Sequence, residues 1–362
     1  EATRRKWRAS IPAIGNDASI VNPRFFNIAD TSRLDAPVLM TVIDAEEEFD
    51  WSAPFSRNST GVSSMRCQGP AQRIFERYGV VPTYMVDFPV ISQNDGTAPL
   101  LDMLKDGRCD VGTQLHAWVN PPFDEHVNNF HSFPGNLPPA LEFEKIKVLT
   151  STIEEATGIR PRLYRAGRYG VGPRTADILK ALGYLADSSV VPSWNFVRQG
   201  GPDFRDVPSV PYWVDMDRRL LEIPCSAGIV GHLARIGPMR NMVFSGTGER
   251  IGLPSIPSRL RLMERIKLSP EGITVDEAKR LIRHLVQNGQ KVFVLSYHTP
   301  SLVPGNTPYV RTSNDLTRFL AWLEEVLAFF AEEVGGRFET WANVRNLLLA
   351  DRGDAVAARS AR

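Results

Sequence analysis

The chain has 362 residues, 43% hydrophobic and 23% charged, enough apolar content for a sizeable core in one large domain or two ordinary ones. Lysine plus arginine (42) nearly balances aspartate plus glutamate (41), which excludes nucleic acid or an anionic membrane as an electrostatically driven partner. Cys67, Cys109 and Cys225 are odd in number and widely spaced, so neither a disulfide scaffold nor a zinc knuckle is expected.

No apolar run approaches the ~20 residues of a membrane-spanning helix. The opening "EATRRKWRAS" is polar and basic without a signal-peptide core, so the expected location is cytoplasmic. After that opening, strand-like runs recur, each followed by a helical pattern. "APVLMTVID" leads to "GPAQRIFERYG", and "VVPTYMVDFPV" to "APLLDMLKDG". "CDVGTQLHAW" opens an aperiodic Pro/Asn-rich stretch at 119–140, then the amphipathic "ALEFEKIKVLTSTIEEATG". "RLYRAGRYG" precedes "GPRTADILKALG", with Pro173 near the helix start and Gly183 as its C-cap. "YLADSSVV", "LLEIPCS" and "KVFVLSYH" complete the strands. The last helices are "TVDEAKRLIRHLVQNG" and "NDLTRFLAWLEEVLAFFAEEVG", on either side of the last strand. A second aperiodic excursion runs from 235 to 261. Both excursions read as functional lids or disorder, and the first is expected to lie over the site.

Repeated β–α alternation predicts parallel strands covered by helices, and seven or so units in one chain fit a barrel. The expected boundaries are an N-terminal extension at 1–36, a barrel domain at 37–350 and a C-terminal tail at 351–362. Barrel chemistry sits at the C-terminal ends of strands, and the unusual residues fall there. Asp44, Glu46, Glu47, Glu48 and Asp50 crowd the end of the first strand. Packed carboxylates raise one another's pKa or recruit a cation, which suits a general base, a metal ligand or both; the plain alternative is a solvated acidic loop.

In "VGTQLHAWVN" the period of two delivers Gln114 and His116 to one side, and Asn120 follows four positions on. Imidazole is the stronger ligand of the three for a zinc-like ion. Arg165 in "YRAGRYG" can clamp a carboxylate and hold it ionised, whereas Arg168 reads as a surface ion-pair residue. His298 at the lip of "VLSYH" suits proton transfer, and Asp187 in "ADSS" could orient it. His126, His131, His232 and His284 have no comparable setting. Trp51, Trp118, Trp194, Trp213 and Tyr169 are candidates for stacking on a substrate.

With these residues in order, the chain resembles the NodB-homology polysaccharide deacetylases, carbohydrate esterase family four, over about residues 37–345. The resemblance implies a distorted (β/α)7 barrel. It also implies Glu46 as general base, Glu47 as metal ligand, Arg165 as tether of the base, Asp187 as partner of the catalytic His, and His298 of "LSYH" as proton donor. The departure is the second motif, His-Ser/Thr-x-x-His, which overlays either Gln114 and Trp118 or His116 and Asn120. One imidazole in place of two implies weak divalent-metal binding, by zinc or a similar ion, through Glu47 and His116.

The expected activity is removal of an N-acetyl or O-acetyl group from a sugar or polysaccharide, with a carbohydrate or small amide as substrate. Two other readings stand beside it: a metal-independent C–N hydrolase of the allantoinase type, and a non-catalytic glycan-binding pseudo-deacetylase.

Overall fold

The apolar runs become strands and the amphipathic runs between them become helices. The computed structural model describes residues 17–235, 243–244, 253 and 262–349. Twelve strands lie within them: β1 (Asn27–Ile28), β2 (Val38–Ala45), β3 (Thr83–Val86), β4 (Asp110–Leu115), β5 (Leu163–Ala166), β6 (Ala186–Asp187), β7 (Tyr212–Trp213), β8 (Leu221–Glu222), β9 (Ala227–Val230), β10 (Glu264–Lys267), β11 (Val292–His298) and β12 (Arg337–Phe338). The main sheet has the order β1-β7-β8-β6-β5-β4-β3-β2-β11, with β12 beside the start of β2. From β11 to β8 its seven strands are all parallel.

β9 and β10 form a separate antiparallel ribbon. Among the described residues no ladder closes the seven strands into a ring, but single bonds stitch the gap. Ser226 accepts from Val294 N at its Oγ and from Leu268 N at its carbonyl, both at 2.8 Å, and Leu268 O accepts from Ser296 N at 3.3 Å. The fold is thus a distorted, open (β/α)7 barrel.

The eight described helices are α1 (Gly69–Tyr78), α2 (Phe88–Ser92), α3 (Asn94–Lys105), α4 (Pro139–Thr157), α5 (Thr175–Leu182), α6 (Val275–Gln287), α7 (Ser313–Glu332) and α8 (Trp341–Leu349). Local chemistry sets their ends. α5 stops where Gly183 adopts φ 82°, as its C-cap position predicts. α6 starts at a capping box in which Thr274 and Glu277 satisfy each other's backbone N–H, worth about 1 kcal/mol.

Two apolar layers follow from the strand period of two. Val38, Met40 and Val42 of β2 join Met85, Leu163, Ala186, Leu221, Val292 and Val294 inside the barrel, where Trp341, Val344 and Leu348 of α8 plug one end. Leu39, Ile43 and Ala45 face the other way, into the layer beneath the helices.

Residues 17–36, expected as part of an extension, are joined to the sheet. β1 pairs with β7, Tyr212 Oη donates to Ile20 O at 2.5 Å, and Leu34 O accepts from Lys291 Nζ at 2.5 Å. The expected tail at 351–362 and most of the second excursion lie outside the described residues. Among the described residues, no helix is long and apolar enough to cross a membrane.

Candidate active site

Following each inward row of side chains to its strand's C-terminal end reaches a polar group. After Val38, Met40 and Val42 comes Asp44; after Met85, Asp87; after Leu163, Arg165; after Val292 and Val294, Ser296 and His298. Gln114 and His116 do the same on β4, so the plugged core opens at its other end into a cavity of about 360 Å³. Asp44, Glu46, Gln114, His116, Arg165 and His298 line it.

Arg165 is fully buried. Its Nη1 donates to Asp44 Oδ1 at 2.9 Å, its Nε to Ser188 O at 2.8 Å and its Nη2 to Ser188 Oγ at 3.1 Å. Burial works against the guanidinium charge, but Asp44 outweighs it and holds the Arg165 pKa above its ordinary value. The expected tether of Glu46 is therefore corrected: the carboxylate that Arg165 clamps is Asp44. Asp44 shares the inward parity of Val42, and its backbone is in register with His298 on β11.

His298 lies with Nε2 3.7 Å from Asp44 Oδ2 and with Nδ1 2.7 Å from Glu271 Oε2. Glu271 also accepts from His298 N at 3.1 Å and from Ser301 Oγ at 2.5 Å. Burial would raise the Glu271 carboxyl, yet His298, Ser301 and Lys267 together hold it below its ordinary pKa. Glu271 thus takes the orienting place expected of Asp187. Asp187 has the opposite parity to inward-facing Ala186, so it points out of the barrel. There it accepts from Ser189 Oγ at 2.7 Å and sits beside its register partner Glu222, where burial raises both carboxyls.

The remaining acids of the run divide their partners. Glu47 Oε2 is 2.6 Å from His116 Nδ1, and its Oε1 accepts from Trp118 Nε1 at 2.7 Å. Asp87 caps α2 through Val90 N at 2.8 Å and accepts from Glu47 N at 2.7 Å. Burial pushes His116 down to about 4 and Glu47 up to about 7, so their contact is an imidazole N–H donated to a carboxyl group rather than an ion pair. Glu48 braces Ser63 and Ser64, and Asp50 holds the Ser52 turn.

Glu46 is buried, with Oε2 3.5 Å from His116 Nε2 and Oε1 without a partner. Burial, then Glu47, Asp44 and Asp87, raise its pKa well above the ordinary range.

This donor set fits a divalent cation. Glu47, Asp87 and His116 offer ligand atoms within 4.8 Å of one another. On the cavity side of the same imidazole, Glu46 Oε1 and Gln114 Oε1 are buried and unpartnered. Asn120 does not line the cavity: its Nδ2 donates to Pro121 O at 2.6 Å and to Lys145 O at 3.1 Å, and its buried Oδ1 is likewise unpartnered.

Aromatic rings make up much of the rest of the lining, Phe133 of the first excursion among them. Trp51 stacks on Phe49 at 5.2 Å and meets the His298 ring edge-on at 5.3 Å. Trp118 stacks on His116 at 4.4 Å. Tyr169 lines the cavity, with its Oη accepting from Lys267 Nζ at 2.7 Å. Trp213 is instead a core residue, and Trp194 lies under the Arg265 guanidinium.

Arg168, expected in a surface ion pair, lines the cavity and has no acidic partner among the described residues. The reading of the sequence missed Asp44 as the clamped acid, and missed Asp87, Glu271 and Lys267. Strand parity would have found Asp44 and Asp87; the other two come from segments without a strand signal strong enough to place them.

No protein-family model matches the sequence, and no curated protein does. Solved structures do resemble it. The probable polysaccharide deacetylase of Pseudomonas aeruginosa PAO1 superposes with a TM-score of 0.50 at 14% identity, covering 86% of this chain and 90% of that one. The Puue allantoinase gives 0.49 at 14% identity, covering 87% and 91%. At such identities the likeness speaks for architecture, and the open seven-stranded barrel described above is that of the polysaccharide deacetylases.

Proposed function

We propose that the protein is a hydrolase that removes an acyl group, N-acetyl or O-acetyl, from a carbohydrate. The observation that carries this reading is the chain Arg165–Asp44–His298–Glu271 at the cavity mouth, with contacts of 2.9, 3.7 and 2.7 Å. Acyl hydrolysis needs one group to take a proton from water and another to give one to the leaving atom. Asp44, paired with the Arg165 guanidinium at 2.9 Å, is the base. His298 is the acid: Glu271 holds its Nδ1–H, which turns Nε2 toward the cavity to protonate the departing amine or alcohol. This moves the base from Glu46, where the resemblance put it, to Asp44.

The ligand role likewise moves from Glu47, where the resemblance put it, to Glu46: a zinc-like ion would be held by His116 and Glu46, with Glu47 on the other imidazole nitrogen fixing its tautomer. When bound, it would supply Lewis-acid polarisation of the acyl carbonyl. With Asn120 outside the cavity lining, one imidazole remains, which favours weak binding and keeps metal-independent C–N hydrolysis as a second reading.

The test is acetate release from N-acetylated and O-acetylated oligosaccharides. Asp44→Asn and His298→Ala are each expected to lose about 10²–10⁴-fold in rate. Wild-type rates in both variants refute the proposal. Chelator treatment separates the two readings, because only metal-assisted hydrolysis should fall and recover with added zinc.

A further inference from the structure

The cavity's charges do not balance. Arg165 is matched by Asp44, and Glu271 bonds His298 at 2.7 Å while Lys267 acts on it from beyond ion-pair distance. Two more cations line the same space, Arg168 and Lys267, and among the described residues neither has a carboxylate within ion-pair distance. Lys267 ends β10 and donates to Tyr169 Oη, a neutral partner, at 2.7 Å. Arg168 donates to Asn129 Oδ1 at 2.9 Å, Ser132 Oγ at 2.5 Å and Gln199 Oε1 at 2.6 Å, all neutral. Its guanidinium is sandwiched 5.0 and 4.0 Å from the ring centres of Phe55 and Phe133.

Arg168 and Tyr169 also hold successive φ values of 55° and 58°, a left-handed backbone that non-glycine residues adopt only when the surroundings impose it. Both cations are half-buried, and a partly desolvated charge without a counter-charge is costly; backbone strain also gathers where a ligand is held. The one remaining cavity acid, Glu46, faces His116 Nε2 at 3.5 Å and forms no ion pair with Arg168 or Lys267. A cation bound beside it would add positive charge rather than remove it.

We infer that Arg168 and Lys267 form an anion subsite, and that the cavity takes a carbohydrate carrying an oxyanion, carboxylate or phosphate, on the ring that bears the acyl group. The carbohydrate part rests on the hydrolase reading above; the charge requirement rests on the unmatched cations. The cavity, about 360 Å³, has the size of a small-ligand site. The Phe55 and Phe133 faces that fix Arg168 leave Lys267, a flexible point charge, to adapt to either oxyanion.

Binding measures the subsite without turnover. Three probes share one ring: N-acetylglucosamine is neutral, N-acetylmuramic acid adds a carboxylate, and N-acetylglucosamine 6-phosphate adds a phosphate. Calorimetry and tryptophan quenching, with Trp51 and Trp118 in the lining, read the affinities. The wild type should prefer at least one charged probe by about tenfold or more, with a preference that weakens as salt rises. Which charged probe is preferred identifies the oxyanion. Lys267→Met should collapse the preference toward one, and Lys267→Arg should restore part of it. If Lys267→Met does not fold, Arg168→Gln carries the same test.

Equal behaviour of the three probes on the wild type, binding or not, overturns the inference, and so does a preference that survives both Lys267→Met and Arg168→Gln. Charge preference without acetate release from any probe would sink the hydrolase reading and keep the subsite. Release that Asp44→Asn abolishes, with no charge preference, would do the reverse.

Discussion

Replacing Asp44 by asparagine is the most informative single change, because it alters charge without altering shape. Asp44 and Arg165 are buried, with relative exposures of 2% and 0%, and their contact is 2.9 Å. Removing one partner of a buried pair leaves the other charge uncompensated, at a cost of about 3–5 kcal/mol. Arg165 keeps its bonds to Ser188 O and Ser188 Oγ, and asparagine can still accept at Oδ1, so the lower end applies. A loss of ~3 kcal/mol corresponds to a fall in melting temperature of about 4 °C for 362 residues. The rate should fall by about 10²–10⁴-fold, since the group that takes the water proton is gone.

Glu46→Gln separates this account from one in which Glu46 is the base. Burial and four neighbouring acids already push Glu46 toward its neutral form, so an amide there should be tolerated or stabilising in chelator-treated protein. The two variants are thus expected to move stability in opposite directions. Thermal melts and urea titrations read stability, and acetate release reads the rate. A stable, active Asp44→Asn beside an inactive Glu46→Gln would refute the assignment of the base.

Three further outcomes follow from particular contacts. Glu271→Gln should lower kcat about 10–100-fold with little change in KM, since His298 loses the carboxylate that orients it at 2.7 Å; an unchanged kcat would make Glu271 a structural residue only. Gly167 packs so closely that a Cβ would lie 2.3 Å from Leu115 O and 2.6 Å from His116 Cδ2. Gly167→Ala should therefore displace His116 and weaken zinc binding in equilibrium dialysis by about tenfold or more, and full retention would place the imidazole outside the metal site.

Glu142, buried on α4 and accepting from Thr175 Oγ1 at 2.5 Å, is pushed by burial from 4.5 up to about 8. The folded state then binds the extra proton, so this contribution is full below pH ~4.5 and is lost as pH rises toward 8, by on the order of 3 kcal/mol at pH 7. Glu142→Gln should gain stability over the wild type as pH rises from 5 to 8 in urea titrations, and a constant gap would refute the shift.

What was legible in the sequence is what periodicity carries. Apolar runs alternating with amphipathic ones placed seven parallel strands, and the strand ends placed His116, Arg165 and His298 at one mouth. The errors have a common physical origin. Asp44 is the fourth member of the row Val38, Met40, Val42, Asp44, but its crowded neighbours drew the base assignment two residues on, past the strand's last residue Ala45. Asp187 failed by parity, since its inward neighbours are Ala186 and Ser188.

Glu271 and Lys267 belong to a segment that the β9–β10 ribbon and the Leu268 stitches bring to the mouth, a long-range placement that local pattern does not encode. The crowding of five acids between 44 and 50 then has an explanation in the fold itself. Asp44 meets Arg165, Glu46 faces the cavity, Glu47 holds His116 and Trp118, Glu48 braces Ser63 and Ser64, and Asp50 turns the loop. Acids that look mutually repulsive along the chain point in different directions once the strand ends. Two of them remain at the cavity, and only Asp44 has a cation of the chain's own beside it. On that asymmetry rests the proposed assignment of Asp44 as the base, with Glu46 as the acid best suited to a bound ion.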